Sequence, residues 1–160
     1  MSLDGAYDEA NVFAKILRGE IPAARVFEDE QVLVFMDAFP QARGHMLAIS
    51  KTSQARNILD AEAKTLGRLI GAVQKAAQAA KAALNPDGVI VTQFNGAPAG
   101  QTVFHLHFHI IPRWEGDPLA KHGGGLASPG ELKALADQIA AAWGNKWSSW
   151  KARQKPRCSR

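Results

Sequence analysis

The chain has 160 residues, 46% hydrophobic and 21% charged, with a formal net charge of +4. That length fits one domain able to bury a core without staples, and the single cysteine, Cys158, rules out an internal disulfide and a cysteine pair for zinc. No stretch approaches the roughly 18 consecutive apolar residues of a membrane span, and the acidic start lacks the pattern of a signal peptide, so a cytoplasmic protein is expected.

Val12 to Leu17 reads as a short helix stopped by Gly19 and Pro22. Arg25 to Asp29 and Gln31 to Asp37 read as strands joined by a tight acidic turn, and His45 to Ser50 as a third strand after the Pro40 to Gly44 loop. From Asp60 to Leu84, apolar residues recur every three or four positions, with Lys64, Arg68, Lys75 and Lys81 largely off the stripe. This is a long helix, with Asp60 as its expected N-cap and Asn85-Pro86 as its stop. Val89 to Phe94 and Val103 to Pro112 read as two further strands around a turn-rich loop, Asn95 to Gly100. Gly116 to Gly125 reads as flexible. Ser128-Pro129-Gly130-Glu131 has the form of a capping box opening a helix to about Trp143. The expected fold class is α+β: an antiparallel five-stranded sheet with one face on the long helix and the other available to a ligand.

Residues 1–143 are expected to form the domain, with its motifs at 12–114, and residues 144–160 a basic tail. That tail holds six of the 19 Lys and Arg and no acid, which leaves 13 basic against 15 acidic residues elsewhere. A solvated end is the simpler reading of it. Nucleic acid is not the expected partner, although the basic charge and Trp147 and Trp150 leave that question to the tail.

The chemistry-bearing segment is Phe104-His105-Leu106-His107-Phe108-His109-Ile110. Strand side chains alternate, so the three histidines share one face and the apolar residues the other. Three of the chain's five histidines in one register are hard to explain structurally, since stacked imidazoles repel when protonated. A metal site and a nucleophile are the two functional readings. The preceding loop, Asn95 to Gln101, favours the second. Small turn residues present backbone N–H groups to phosphate oxygens, Gln101 and Thr102 add side-chain donors, and phosphoryl transfer depends on such positioning.

These residues resemble the histidine triad signature, three histidines alternating with apolar residues and followed by two more. Gly100 to Phe104, Gly19 to Ala23, Val26 to Asp29, Phe35 to Asp37 and Gly44-His45 also resemble that superfamily, closest to its Hint branch and bacterial relatives. The resemblance implies a five-stranded antiparallel fold with one long helix, a short N-terminal helix and here a C-terminal helix. It also implies a homodimer and cleavage at the α-phosphorus of a purine nucleotide conjugate such as a phosphoramidate, releasing a nucleoside monophosphate such as AMP. The alternatives it leaves are a dinucleoside polyphosphate hydrolase and a nucleotide-binding interaction protein with little catalysis. Carried over, His107 is the nucleophile, His109 the phosphate-contacting member, and His105 and His45 buttress the site. Gln101 and Thr102 contact phosphate or leaving group, Asn95 lies near ribose and phosphate, and Asp37 holds the ribose hydroxyls. Val12, Phe13, Ile16, Ile21, Phe35 and Leu47 form the base pocket. Some relatives bind zinc through a Cys-x-x-Cys pair and a later histidine. Asn11, Ala14 and Ser53 stand there, so no structural metal and no cofactor are expected. A related transferase family has glutamine in place of the third histidine, and His109 argues against that reaction.

Overall fold

A computed structural model of the chain describes residues 3–118 and 125–144. The basic tail beyond Gly144, with both its tryptophans, and the middle of the expected flexible stretch lie outside those residues. Three helices, α1 (Val12–Leu17), α2 (Ala63–Leu84) and α3 (Pro129–Ala141), accompany five strands: β1 (Arg25–Glu28), β2 (Val32–Met36), β3 (Met46–Ser50), β4 (Gly88–Thr92) and β5 (His107–Arg113). The sheet order is β1-β2-β3-β5-β4, every pair antiparallel. The α+β class and the sheet read from the sequence are those of the molecule.

Alternation along the strands divides the core. Val32, Val34, Met36, Met46, Ala48, Phe108 and Ile110 face α2, whose Leu69, Val73, Ala76 and Ala80 are buried against them. Leu33, Phe35, Leu47 and Ile49 point the other way and are covered by Phe13 and Ile16 of α1. Both β2 and β3 are therefore buried on both faces, although only one face was expected to be covered. A six-residue helix is marginal alone. Here Asn11 caps it, its Oδ1 accepting from the backbone N–H groups of Phe13 and Ala14 at 3.0 Å each. At the entry to β3, Gly44 has φ +81°, and a Cβ there would run into the Leu84 side chain at the end of α2.

Local rules missed at three places. The cap of α2 is Glu62, without a side-chain bond. Asp60 instead accepts from the N–H groups of Arg56 and Asn57 at 3.1 and 3.0 Å, holding the turn before the helix. Ser128 and Pro129 do open α3, but the Ser128 side chain makes no capping bond. The last strand begins at His107 rather than Val103, because the residues before it bond elsewhere. Leu106 N–H donates to the Ala55 carbonyl, and the carbonyls of Val103 and His105 accept from side chains. Strand ends otherwise moved by a residue or two, and Asn85, left-handed at φ 49°, ends α2 as expected. Among the described residues no helix is long and apolar enough to cross a membrane.

Candidate active site

His107 and His109 project from β5 opposite Ile49 and Leu47 of β3, on the face that carries Phe13 and Phe35. His105 precedes the strand, yet its ring stays beside theirs: Phe13 meets the His105 and His107 rings edge-on at 6.1 and 4.9 Å, and the His107 and His109 rings lie 5.0 Å apart. His45, His105, His107 and His109 are all buried.

The hydrogen bonds assign the protons. His107 Nδ1 lies 2.6 Å from the His105 carbonyl. A carbonyl only accepts, so Nδ1 holds the proton and the neutral ring's lone pair sits on Nε2. His45 Nδ1 accepts from the Gln41 N–H at 3.1 Å, which puts that ring's proton on Nε2, 3.0 Å from His109 Nδ1 and 3.5 Å from Asp37 Oδ2. His109 Nδ1 is then an acceptor and its Nε2 a donor. His105 Nε2 donates to the Ser50 carbonyl at 3.0 Å, and its Nδ1 accepts from the Tyr7 hydroxyl at 2.6 Å. Burial, with the His107 ring adding to it and the Ser50 carbonyl opposing it, pushes His105 down to about 4.

A cleft of about 950 Å³ opens beside the triad, lined by Val12, Phe13, Ile16, Ile21, Phe35, Leu47, Asp37, Thr102, His107 and His109. Ten residues singled out in the sequence thus come together. Four do not line the cleft. His45 and His105 lie behind the two cleft histidines. Gln101 is buried and turned inward: its Oε1 accepts from Gly96 N–H at 2.8 Å, and its Nε2 donates to the carbonyls of Arg56 and Val103 at 2.6 and 3.0 Å. Asn95 Oδ1 accepts from Ile58 N–H and from Gln93 Nε2, both at 3.0 Å.

Sequence reasoning missed two contributors. Tyr7 stands 98 positions from its partner His105, with no motif to link them. Leu132, Lys133, Ala136 and Asp137 of α3 form part of the cleft wall, which depends on how that helix docks on β1. Asp37, His45 and His109 each bring one ligand atom to within 4.8 Å of the others, a spacing that can hold a metal. To ligate through Nε2, His45 would have to carry its proton on Nδ1, which faces the Gln41 N–H at 3.1 Å.

The fold and the alternating histidines beside an apolar cleft define a histidine triad protein. The HIT domain model matches residues 18–116, and the chain belongs to that family. It is 42% identical over 103 residues to Protein hit of Bacillus subtilis, covering 64% of this chain and 70% of that protein. It is 34% identical over 138 residues to adenosine 5'-monophosphoramidase hnt1 of Schizosaccharomyces pombe, covering 81% and 96%. Among solved structures, a Hit-like protein involved in cell-cycle regulation from Bartonella henselae aligns with a TM-score of 0.82 at 51% identity, covering 86% of this chain and 99% of that one. A Zn-bound histidine triad family protein from Mycobacterium smegmatis aligns with a TM-score of 0.74 at 32% identity, covering 91% and 98%.

Proposed function

We propose that the protein cleaves a purine nucleoside phosphoramidate, or a related conjugate, at its α-phosphorus through a nucleotidyl intermediate on His107. The observation that carries this reading is the His107 tautomer. The 2.6 Å bond from its Nδ1 to the His105 carbonyl holds the nucleophilic lone pair on Nε2 and steadies the positive charge that the ring gains on attack. His107 Nε2 bonds to phosphorus while the bond from phosphorus to the leaving nitrogen breaks, and that nitrogen takes up a proton from solvent to depart as the amine, a proton the attacking water later returns. Water then attacks phosphorus, the bond to Nε2 breaks, and the nucleoside monophosphate departs with the neutral imidazole restored. His109, through its Nε2–H, and the exposed Thr102 hydroxyl serve the phosphate oxygens and the leaving group. His45 holds His109 in its donor tautomer.

Asp37 takes the ribose hydroxyls, since a carboxylate accepts from two adjacent hydroxyls, and the apolar residues around Phe13 and Phe35 take the base. We read Gln101 as a brace of the loop beside the triad, because contact with substrate would break the bonds of both its polar atoms, and Asn95 as bracing that loop through its oxygen. The phosphoramidase name of the fission yeast relative supports the choice of substrate. The cleft runs on past the apolar pocket to α3, which favours a dinucleoside polyphosphate as the second reading. A second copy of the chain is the inferred partner: β4 ends the sheet with Ile90 and Val91 exposed, and Ile70 of α2 is exposed too. A cytoplasmic, metal-independent enzyme fits this chemistry.

The test is turnover of an adenosine phosphoramidate, with diadenosine polyphosphate alongside, by the wild type and His107→Ala. AMP released by the wild type and lost in a folded variant supports the reading. Binding of AMP without turnover of either compound would replace it with the nucleotide-binding interaction protein.

A further inference from the structure

The segment before α1 lies across the back of the triad and is tied there at both ends. Near its start, the Leu3 carbonyl accepts from Arg56 Nη1 at 3.2 Å and from Asn57 Nδ2 at 3.0 Å. Arg56 is itself buried, its guanidinium 4.8 Å over the Phe104 ring and its carbonyl held by Gln101. Four residues on, the Tyr7 hydroxyl lies 2.6 Å from His105 Nδ1, and the two rings pack at 5.7 Å. The HIT domain match begins at residue 18, so this strap lies outside it.

The geometry points to Tyr7 as a positioning residue for the nucleophile, acting through the ring and carbonyl of His105. A carbonyl at Ser50 and a hydroxyl at Tyr7 leave the His105 ring one consistent arrangement, with Nε2–H donating and Nδ1 accepting. That ring, buried and held from both sides, fixes the residue whose own carbonyl lies 2.6 Å from His107 Nδ1. Removing the hydroxyl leaves a buried acceptor unpaired at His105 and the ring hydrogen-bonded from the Ser50 side alone. The residue whose carbonyl holds His107 in register then loses one of its two side-chain anchors. These hydrogen bonds act on Nδ1 of the attacking ring and involve no side chain of the base pocket and no atom of Asp37, although the His105 ring also meets Phe13 edge-on at 6.1 Å. Its loss therefore falls on the chemical step rather than on substrate binding.

The inference rests on His107 as nucleophile for its kinetic arm only. Tyr7→Phe keeps the ring packing and deletes the hydroxyl. The expected result is a fall in single-turnover rate of about tenfold, with KM and AMP affinity within about twofold of wild type. Nitrogen NMR of wild type should show His105 protonated at Nε2 and accepting at Nδ1, with the Nδ1 resonance moving in Tyr7→Phe. An unchanged single-turnover rate in the folded variant would overturn the proposal. So would a wild-type His105 protonated at Nδ1, a result that stands whether or not the variant folds. A wild type that turns over no nucleotide conjugate, yet shows the His105 signature, would remove the proposed activity and leave the Tyr7 bond in place.

Discussion

The cleft side of the histidine segment and its buried side use the same chemical groups in opposite ways. On the cleft side, His107 and His109 each commit Nδ1 to the protein and line a cavity with Asp37 and Thr102. On the buried side, His105 and Gln101 have both polar atoms of their side chains bonded to the protein, as does the oxygen of Asn95. The difference teaches that a motif of alternating histidines is not three equivalent rings. On the proposed mechanism one side does chemistry and the other holds it in register, so substitutions on the two sides should fail differently.

The largest contrast is in turnover. His107→Ala should lower kcat by about three orders of magnitude or more while AMP affinity, read by calorimetry, stays within a few-fold. On the buried side, Gln101→Ala should leave Gly96 N–H and two carbonyls without their partner. It should therefore cost about 2–4 kcal/mol of stability in urea denaturation, with a smaller loss of turnover than His107→Ala. An equal loss of turnover in a stably folded Gln101→Ala would move Gln101 to the cleft side.

Acid sharpens the same comparison. His105 titrates at about 4 in the folded protein against an ordinary 6.5. Between those values the unfolded chain takes up a proton that the folded chain refuses, so this group's contribution to stability is whole above pH 6.5 and lost as pH falls towards 4. The loss is at most about 3 kcal/mol, and below pH 4 the group adds no further loss. Urea midpoints across that window in wild type and His105→Asn check it, the variant giving the flatter dependence. The smallest effect is at Asp37, where Asp37→Ala should raise KM by about tenfold and erase any preference for ribose over 2'-deoxyribose, as parallel kinetics with the two sugars would show.

Much of this was legible in the sequence. Period-two alternation placed Phe108 and Ile110 against α2 and His107 and His109 on the opposite face, and the apolar pocket residues followed from the family's motif order. What was not legible depended on contacts made far along the chain. Gln101 and Asn95 are polar loop residues in either role, and only packing against Arg56 and Ile58 turns them inward. Asp60 carries a cap signal that serves the turn before α2, because the backbone of Arg56 and Asn57 reaches it first. Tyr7 and α3 enter the site by docking, and no local pattern records where a strap or a late helix comes to rest.

The central claim is a covalent bond from His107 to phosphorus, and a rapid-quench single-turnover experiment with a nucleotide labelled at the α-phosphorus tests it most directly. Quenching into alkaline denaturant preserves a phosphorus–nitrogen bond, and peptide mapping locates the label. The account predicts transient label on the peptide at His107, forming and decaying at rates that match AMP release and absent in His107→Ala. AMP released at the normal rate with no label on the protein at any time would contradict it, and water would then be the attacking group.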